Sequence, residues 1–198
     1  MKAQKESRPR IIFTIGHSTR AIEEFISLLK SNGVEQLIDI RTIPKSHHNP
    51  QFNGDSLARA LRAAKIKCVH MKELGGLRRA RPDSPNMGWR NASFRGYADY
   101  MQTEEFEEAV RRAIALAGDK PTALMCAEAL PWKCHRSLVA DALVVRGIEV
   151  LEIVGSSPPK PHNLTPFARV CGTRITYPVG ETGELFEPLQ DTKPSGDG

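Results

Sequence analysis

Short apolar runs and stretches of helical period alternate along this chain, and that alternation leaves few architectures open. Residues 11–15 form an apolar run ended by Gly16. Ile22, Phe25, Ile26 and Leu29 follow at helical spacing, with Ser18 or Thr19 as caps and Gly33 as the stop. Residues 37–40, 66–70, 122–126 and 148–154 supply four further strand-like runs. Between them, Leu57, Ala60, Leu61 and Ala64 mark one helix, Phe106 to Ala117 a second, and residues 137–146 a third. Strands that alternate with helices pair in parallel, because each crossover lays a helix on the sheet. The expected fold is therefore α/β: an open, mainly parallel sheet of about five strands with helices on both faces.

Two stretches leave the pattern. Residues 72–96 hold Gly75, Gly76, Arg78, Arg79, Arg81, Pro82 and Pro85 with no clear period, and a loop this long inside a compact domain usually has a function. After Gly155 a Pro- and Ser-rich segment leads to residues 169–177, which read as a short β-hairpin-like extension turning at Gly172. Residues 11–180 form one expected domain, residues 1–10 a disordered segment and residues 181–198 a flexible tail. No apolar run approaches the ~20 residues that span a bilayer, and the basic N-terminus has no apolar stretch behind it. A cytoplasmic protein without membrane contact is expected. Four cysteines in 198 residues are too few for a disulfide scaffold, so they read as thiols, ligands or nucleophiles. A net charge of +5 favours anionic partners. Nothing in the sequence specifies an oligomeric state.

In an open parallel sheet, ligands bind beyond the carboxyl ends of the strands, near a reversal of strand order. The strand ends here carry Gly16-His17-Ser18, Asp39 with Arg41, the Gly75-Gly76 pair, and Cys126, Glu128, Cys134, His135 and Arg136. Cys126 and Glu128 are two apart and share a side if the chain is extended. Cys134 precedes a helix, where the unpaired N–H groups favour thiolate. Consecutive helical residues point about 100° apart, so Cys134, His135 and Arg136 do not all serve one centre. Cys68 and Cys171 read as buried small hydrophobes, and His47 and His48 as solvated.

Several familiar chemistries fail on spacing. A Cys-x5-Arg phosphate loop needs arginine where Trp132 stands. Cys-x-x-Cys is absent, and Cys126-Ala-Glu128 lacks the later Pro-Cys-x-x-Cys of zinc deaminases. The P-loop and the dinucleotide-binding glycine pattern are missing as well.

Residues 14–19, Asp39-Ile-Arg41 with Pro44, residues 49–52, Leu74-Gly75-Gly76, residues 94–97, Met125-Cys126-Ala127-Glu128, Cys134-His135-Arg136 and residues 164–169 together resemble the domain of unknown function 488 family. The resemblance runs from Ile11 to Tyr177 and implies a compact, single-domain α/β protein. It implies no reaction.

Three functional readings follow. The first is an enzyme, or a binder derived from one, for a phosphorylated or nucleotide-like anion. Gly16, Ser18, Asp39, Arg41, Gly75, Gly76 and Arg136 hold the ligand, and Cys126, Glu128, His17, Cys134 and His135 supply the chemistry. No cofactor is required. The second is a nucleic-acid-binding module using Arg78, Arg79, Arg81, Arg90 and Arg95, with Trp89 and Phe94 to stack on bases. The third is zinc held by Cys126, Glu128, Cys134 and His135.

Overall fold

The computed structural model describes residues 11–118 and 120–179; the segments expected at residues 1–10 and 181–198 lie outside them. Five strands form the parallel part of one sheet: β1 (Ile11–Gly16), β2 (Gln36–Asp39), β3 (Lys67–His70), β4 (Thr122–Cys126) and β5 (Glu149–Ile153). A sixth strand, β6 (Lys160–Pro161), adds antiparallel to β5, with Leu151 opposite Pro161, giving the order β3-β2-β4-β1-β5-β6. Residues 169–177 form the expected hairpin, β7 (Arg169–Cys171) and β8 (Arg174–Thr176), turning at Gly172 with φ of 61°.

The alternation of side chains along each strand sorts the core into two layers. Ile12, Ile38, Leu124 and Cys126 point to one face, where they meet α3 (Ala92–Tyr100), α4 (Glu104–Ala117) and α5 (Arg136–Val144). Ile15, Leu37, Ala123 and Met125 point to the other, against α1 (Ile22–Ser31) and α2 (Gly54–Ala63). Phe25, Leu29, Leu57 and Leu61 on the α1–α2 side are all fully buried, each contributing roughly 1.5–3 kcal/mol of transfer energy. Phe106, Val110, Leu138 and Leu143 do the same on the opposite face.

Local expectations fail at four places. Helix α1 has Ala21 at its capping position, with no side-chain cap, so neither Ser18 nor Thr19 caps it. Helix α3 begins inside the stretch expected to be irregular, at Ala92, and runs four residues past its end. Phe94, Gly96, Tyr97, Ala98, Asp99 and Tyr100 are all buried, leaving too narrow a polar face for an amphipathic period to register. Its start is marked instead by Asn91, whose side chain accepts from the Ser93 N–H at 2.8 Å. The third is β6, two residues long and ending in proline, which gives no alternation to detect. Finally, Cys171 is exposed on the hairpin and Cys68 only half-buried.

Candidate functional site

The loops leaving β1 and β2 lead to α1 and α2 on one face, whereas β4, which lies between those strands, leads to α5 on the other. This reversal opens a cleft of about 850 Å³ at the carboxyl end of β4. The strand ends are level there: Gly16 pairs with Cys126, and Asp39 with Met125. Beyond the ladder, the His17 N–H donates to the Cys126 carbonyl at 3.0 Å and the Ser18 N–H to the Ala127 carbonyl at 2.8 Å. Gly16 admits this close approach, since a Cβ there would lie 1.8 Å from the Glu128 carbonyl oxygen. Ser18 takes a left-handed conformation, φ 51°, and lines the cleft.

On the α2 side, Asp39 and Arg41 form a buried pair. The Arg41 Nε donates to Oδ1 at 2.9 Å and its Nη2 to Oδ2 at 2.6 Å, while Nη2 also donates to the Phe52 carbonyl at 2.8 Å. Arg41 Nη1 lies 3.2 Å from His17 Nε2. A guanidinium only donates, so Nε2 accepts and the imidazole proton sits on Nδ1, which donates to the Ser18 carbonyl at 2.8 Å. Burial, together with the charge of Arg41, pushes the His17 pKa down to about 4. His17 is thus a neutral ring stacked 4.2 Å from Phe52, its lone pair already engaged. Arg41 spends most of its donors inside the protein, although its edge reaches the cleft.

On the α5 side stand Cys126, Cys134 and His135. His135 Nδ1 lies 3.9 Å from Cys126 Sγ and 3.7 Å from Cys134 Sγ. The Cys126 thiol donates toward the Cys134 sulfur, which lowers the Cys134 pKa to about 7 against the cost of burial, helped by the charge of Arg136. The same contact, with burial, pushes the Cys126 thiol up. The Arg136 N–H also points at Cys134 Sγ, at 3.4 Å. The Arg136 guanidinium turns away from the cleft: it is 1% exposed and donates to the carbonyls of Glu128 at 2.9 Å and Ala129 at 3.3 Å. Of the three consecutive residues, Arg136 holds the loop and the other two face the ligand space. Glu128 borders the cleft but is exposed.

Gly76 lines the cleft, and a Cβ there would meet His135 Nδ1 at 3.0 Å. Gly75 is buried behind it, against Thr42 and the Lys72 carbonyl. The long loop therefore reaches the strand ends through Gly76 and Leu77, while Asn91, Ser93 and Phe94 approach from its far end. The rest of it packs on the body. Asp99, buried on α3, accepts from the Arg81 N–H at 2.8 Å, Ser84 Oγ at 2.5 Å and Asn86 Nδ2 at 2.8 Å. Trp89 and Phe94 are each 7% exposed and stack on one another at 4.7 Å, so the rings expected to be open to bases belong to the core. Arg78 lies over the Tyr100 ring, 3.5 Å from its centre, and Arg81 pairs with Asp83.

Sequence reasoning did not assign Lys45, Ser46, Asn49, Asn91 and Ser93, which line the cleft from the segment after β2 and from the start of α3. It also missed a buried cluster below the C-terminal segment. Asp141, fully buried on α5, accepts from His162 Nε2 at 2.8 Å, Thr165 Oγ1 at 2.6 Å and the Tyr177 hydroxyl at 2.8 Å. His162 Nδ1 donates to Glu152 at 2.7 Å. Burial opposes the charge on His162, but the two carboxylates outweigh it and raise its pKa to about 9. The signal for this cluster was Asp141 itself, a carboxylate among Leu138, Val139, Ala142 and Leu143 on a helix with almost no polar side.

No curated protein and no solved structure shows significant similarity to the chain. Among the described residues, no helix is long and apolar enough to cross a membrane. The family model described as "Domain of unknown function DUF488" matches residues 21–143, a span that takes in the Asp39–Arg41 pair, the Gly75-Gly76 wall and the whole turn from Cys126 to Arg136. The chain belongs to that DUF488 family.

Proposed function

We propose that the strand-end cleft binds a small phosphorylated or nucleotide-like anion, and that the protein is an enzyme or an enzyme-derived binder acting through the Cys126–Cys134–His135 floor. The observation that carries this reading is the composition of the cleft wall. A floor of two sulfurs and an imidazole lies beneath a rim of Lys45, Lys133, Ser46, Asn49, Asn91 and Ser93, at the point where strand order reverses. The α5 N-terminus behind the floor adds partial positive charge. The hydroxyl and amide groups of the rim suit phosphate and sugar oxygens, and the two lysines supply the charge. Arg41 and Arg136, whose donors are turned inward, act by shaping the wall rather than by clamping the ligand.

Thermal unfolding in the presence of nucleosides and their phosphorylated forms tests this. The phosphorylated compounds raise Tm while the parent nucleosides do not, and Lys45→Ala combined with Lys133→Ala removes the rise. A Tm indifferent to every phosphorylated compound, or a rise that survives in the double variant, overturns the reading.

A further inference from the structure

We infer that Cys126, Cys134 and His135 form a binding site for a zinc-class divalent cation, with the fourth coordination position open to the cleft. The donor atoms of these three residues all lie within 4.8 Å of one another. A tetrahedral ion with bonds of about 2.3 Å to sulfur and about 2.05 Å to nitrogen holds those atoms about 3.6 Å apart. The two sulfur–nitrogen separations are 3.9 and 3.7 Å, so small side-chain shifts bring the set to bonding geometry.

The side chains around the ion position argue the same way. His135 Nδ1 has sulfur, not oxygen, as its near neighbours, and Nε2 is buried without a hydrogen-bond partner. A metal–nitrogen bond at Nδ1 would replace its weak sulfur contacts, while Nε2 stays unpartnered with or without the ion. Two cysteines buried side by side, with no disulfide between them, are the soft ligands such an ion selects. The Arg136 N–H directed at Cys134 Sγ supplies the outer hydrogen bond that orients a ligating thiolate. Gly76 leaves room for the imidazole to reach the ion, since a Cβ there would already press on Nδ1. Loading is a simple exchange: the cation enters, two thiol protons leave, and no electrons move.

All three ligands line the cleft, so the fourth position faces it. Glu128, included when zinc was read from the sequence, is exposed at the border and does not belong to the group. Three protein ligands with one open position is the arrangement of zinc sites that act on substrates rather than only brace a fold. The inference stands on the ligand geometry and does not require the anion reading.

The test uses the full, untagged chain. Elemental analysis after growth with added zinc gives one zinc per chain for the natural sequence and for Cys171→Ser, and a loss of nearly all of it for Cys126→Ser, Cys134→Ser and His135→Ala. Since those variants risk unfolding, cobalt(II) is also titrated into the metal-free natural protein. The intense visible bands of tetrahedral cobalt and a sulfur-to-cobalt charge-transfer band support the site. The weak spectrum of hydrated cobalt, or zinc that stays bound in all three variants, overturns it. Lys45→Ala keeps the cobalt spectrum whatever becomes of anion binding, so the two readings fail separately.

Discussion

Asp39 and Arg41 show how much of the cleft depends on single buried groups. Their bidentate contact neutralises two charges in the interior, and Arg41 also fixes the tautomer of His17. Asp39→Asn leaves the guanidinium uncompensated and is expected to cost about 3–5 kcal/mol in urea unfolding. An equal loss from Lys45→Ala, an exposed residue, would show that the pair is not special. Gly16→Ala is the sharpest steric test. Its Cβ would meet backbone oxygen at 1.8 Å, and neither partner is a flexible tip. The variant is expected to lose about 1–3 kcal/mol and to release the loop at Ala127–Glu128, visible as faster amide exchange there. The strand-end residues were legible in the sequence because glycine, histidine and paired charges are unusual after apolar runs. Their orientation was not, since the inward turn of Arg136 depends on carbonyls that only the folded loop presents.

At the scale of elements, His162 ties the segment after β5 to helix α5. It donates to Asp141 on α5 and to Glu152 on β5, while Thr165 and the Tyr177 hydroxyl complete the contacts of Asp141. The folded-state pKa of about 9 exceeds the ordinary 6.5, so the folded protein binds the extra proton more tightly. This stabilisation is full below pH 6.5 and is lost as pH rises through about 9. A shift of this size is worth about 3 kcal/mol. Unfolding free energy measured across that window should fall in the natural protein and fall less in His162→Ala; parallel curves would refute the tie. A second element-scale prediction concerns the arginine-bearing loop. Asp99→Ala strands two buried donors, on Ser84 and Asn86, together with the Arg81 N–H, and is expected to cost about 2 kcal/mol or more. It also speeds tryptic cleavage after Arg79, which an unchanged digestion rate would contradict. Helix α4 was legible from its amphipathic spacing and α5 from an apolar run closed by Gly147, whereas α3 was hidden because its buried positions include Gly96 and Asp99 among the aromatic residues. The tie through His162 joins residues from four segments, and no local pattern reports such a meeting.

For the whole molecule, the alternation of strand and helix was enough to state a parallel α/β sheet, because each crossover has little freedom of hand or direction. The order of the strands was not contained in that alternation. It depends on which apolar faces fit together, and it sets β4 between β1 and β2. That placement bears on how the protein is made. As the chain emerges from the ribosome, β1, β2 and β3 appear first, and the slot between β1 and β2 stays vacant until residue 126 has been synthesised. The nascent N-terminal half can pair only β2 with β3, leaving β1 unpaired. A fragment limited to residues 21–143 would lack β1, the neighbour of β4 on that side, and β5 beyond it, and is expected to stay unfolded, with the cleft never assembled. The strand that carries Cys126 is thus the keystone of synthesis: its arrival joins β1 to the β2–β3 pair, and the turn that follows it, residues 127–135, then closes the cleft before β5 and β6 extend the sheet.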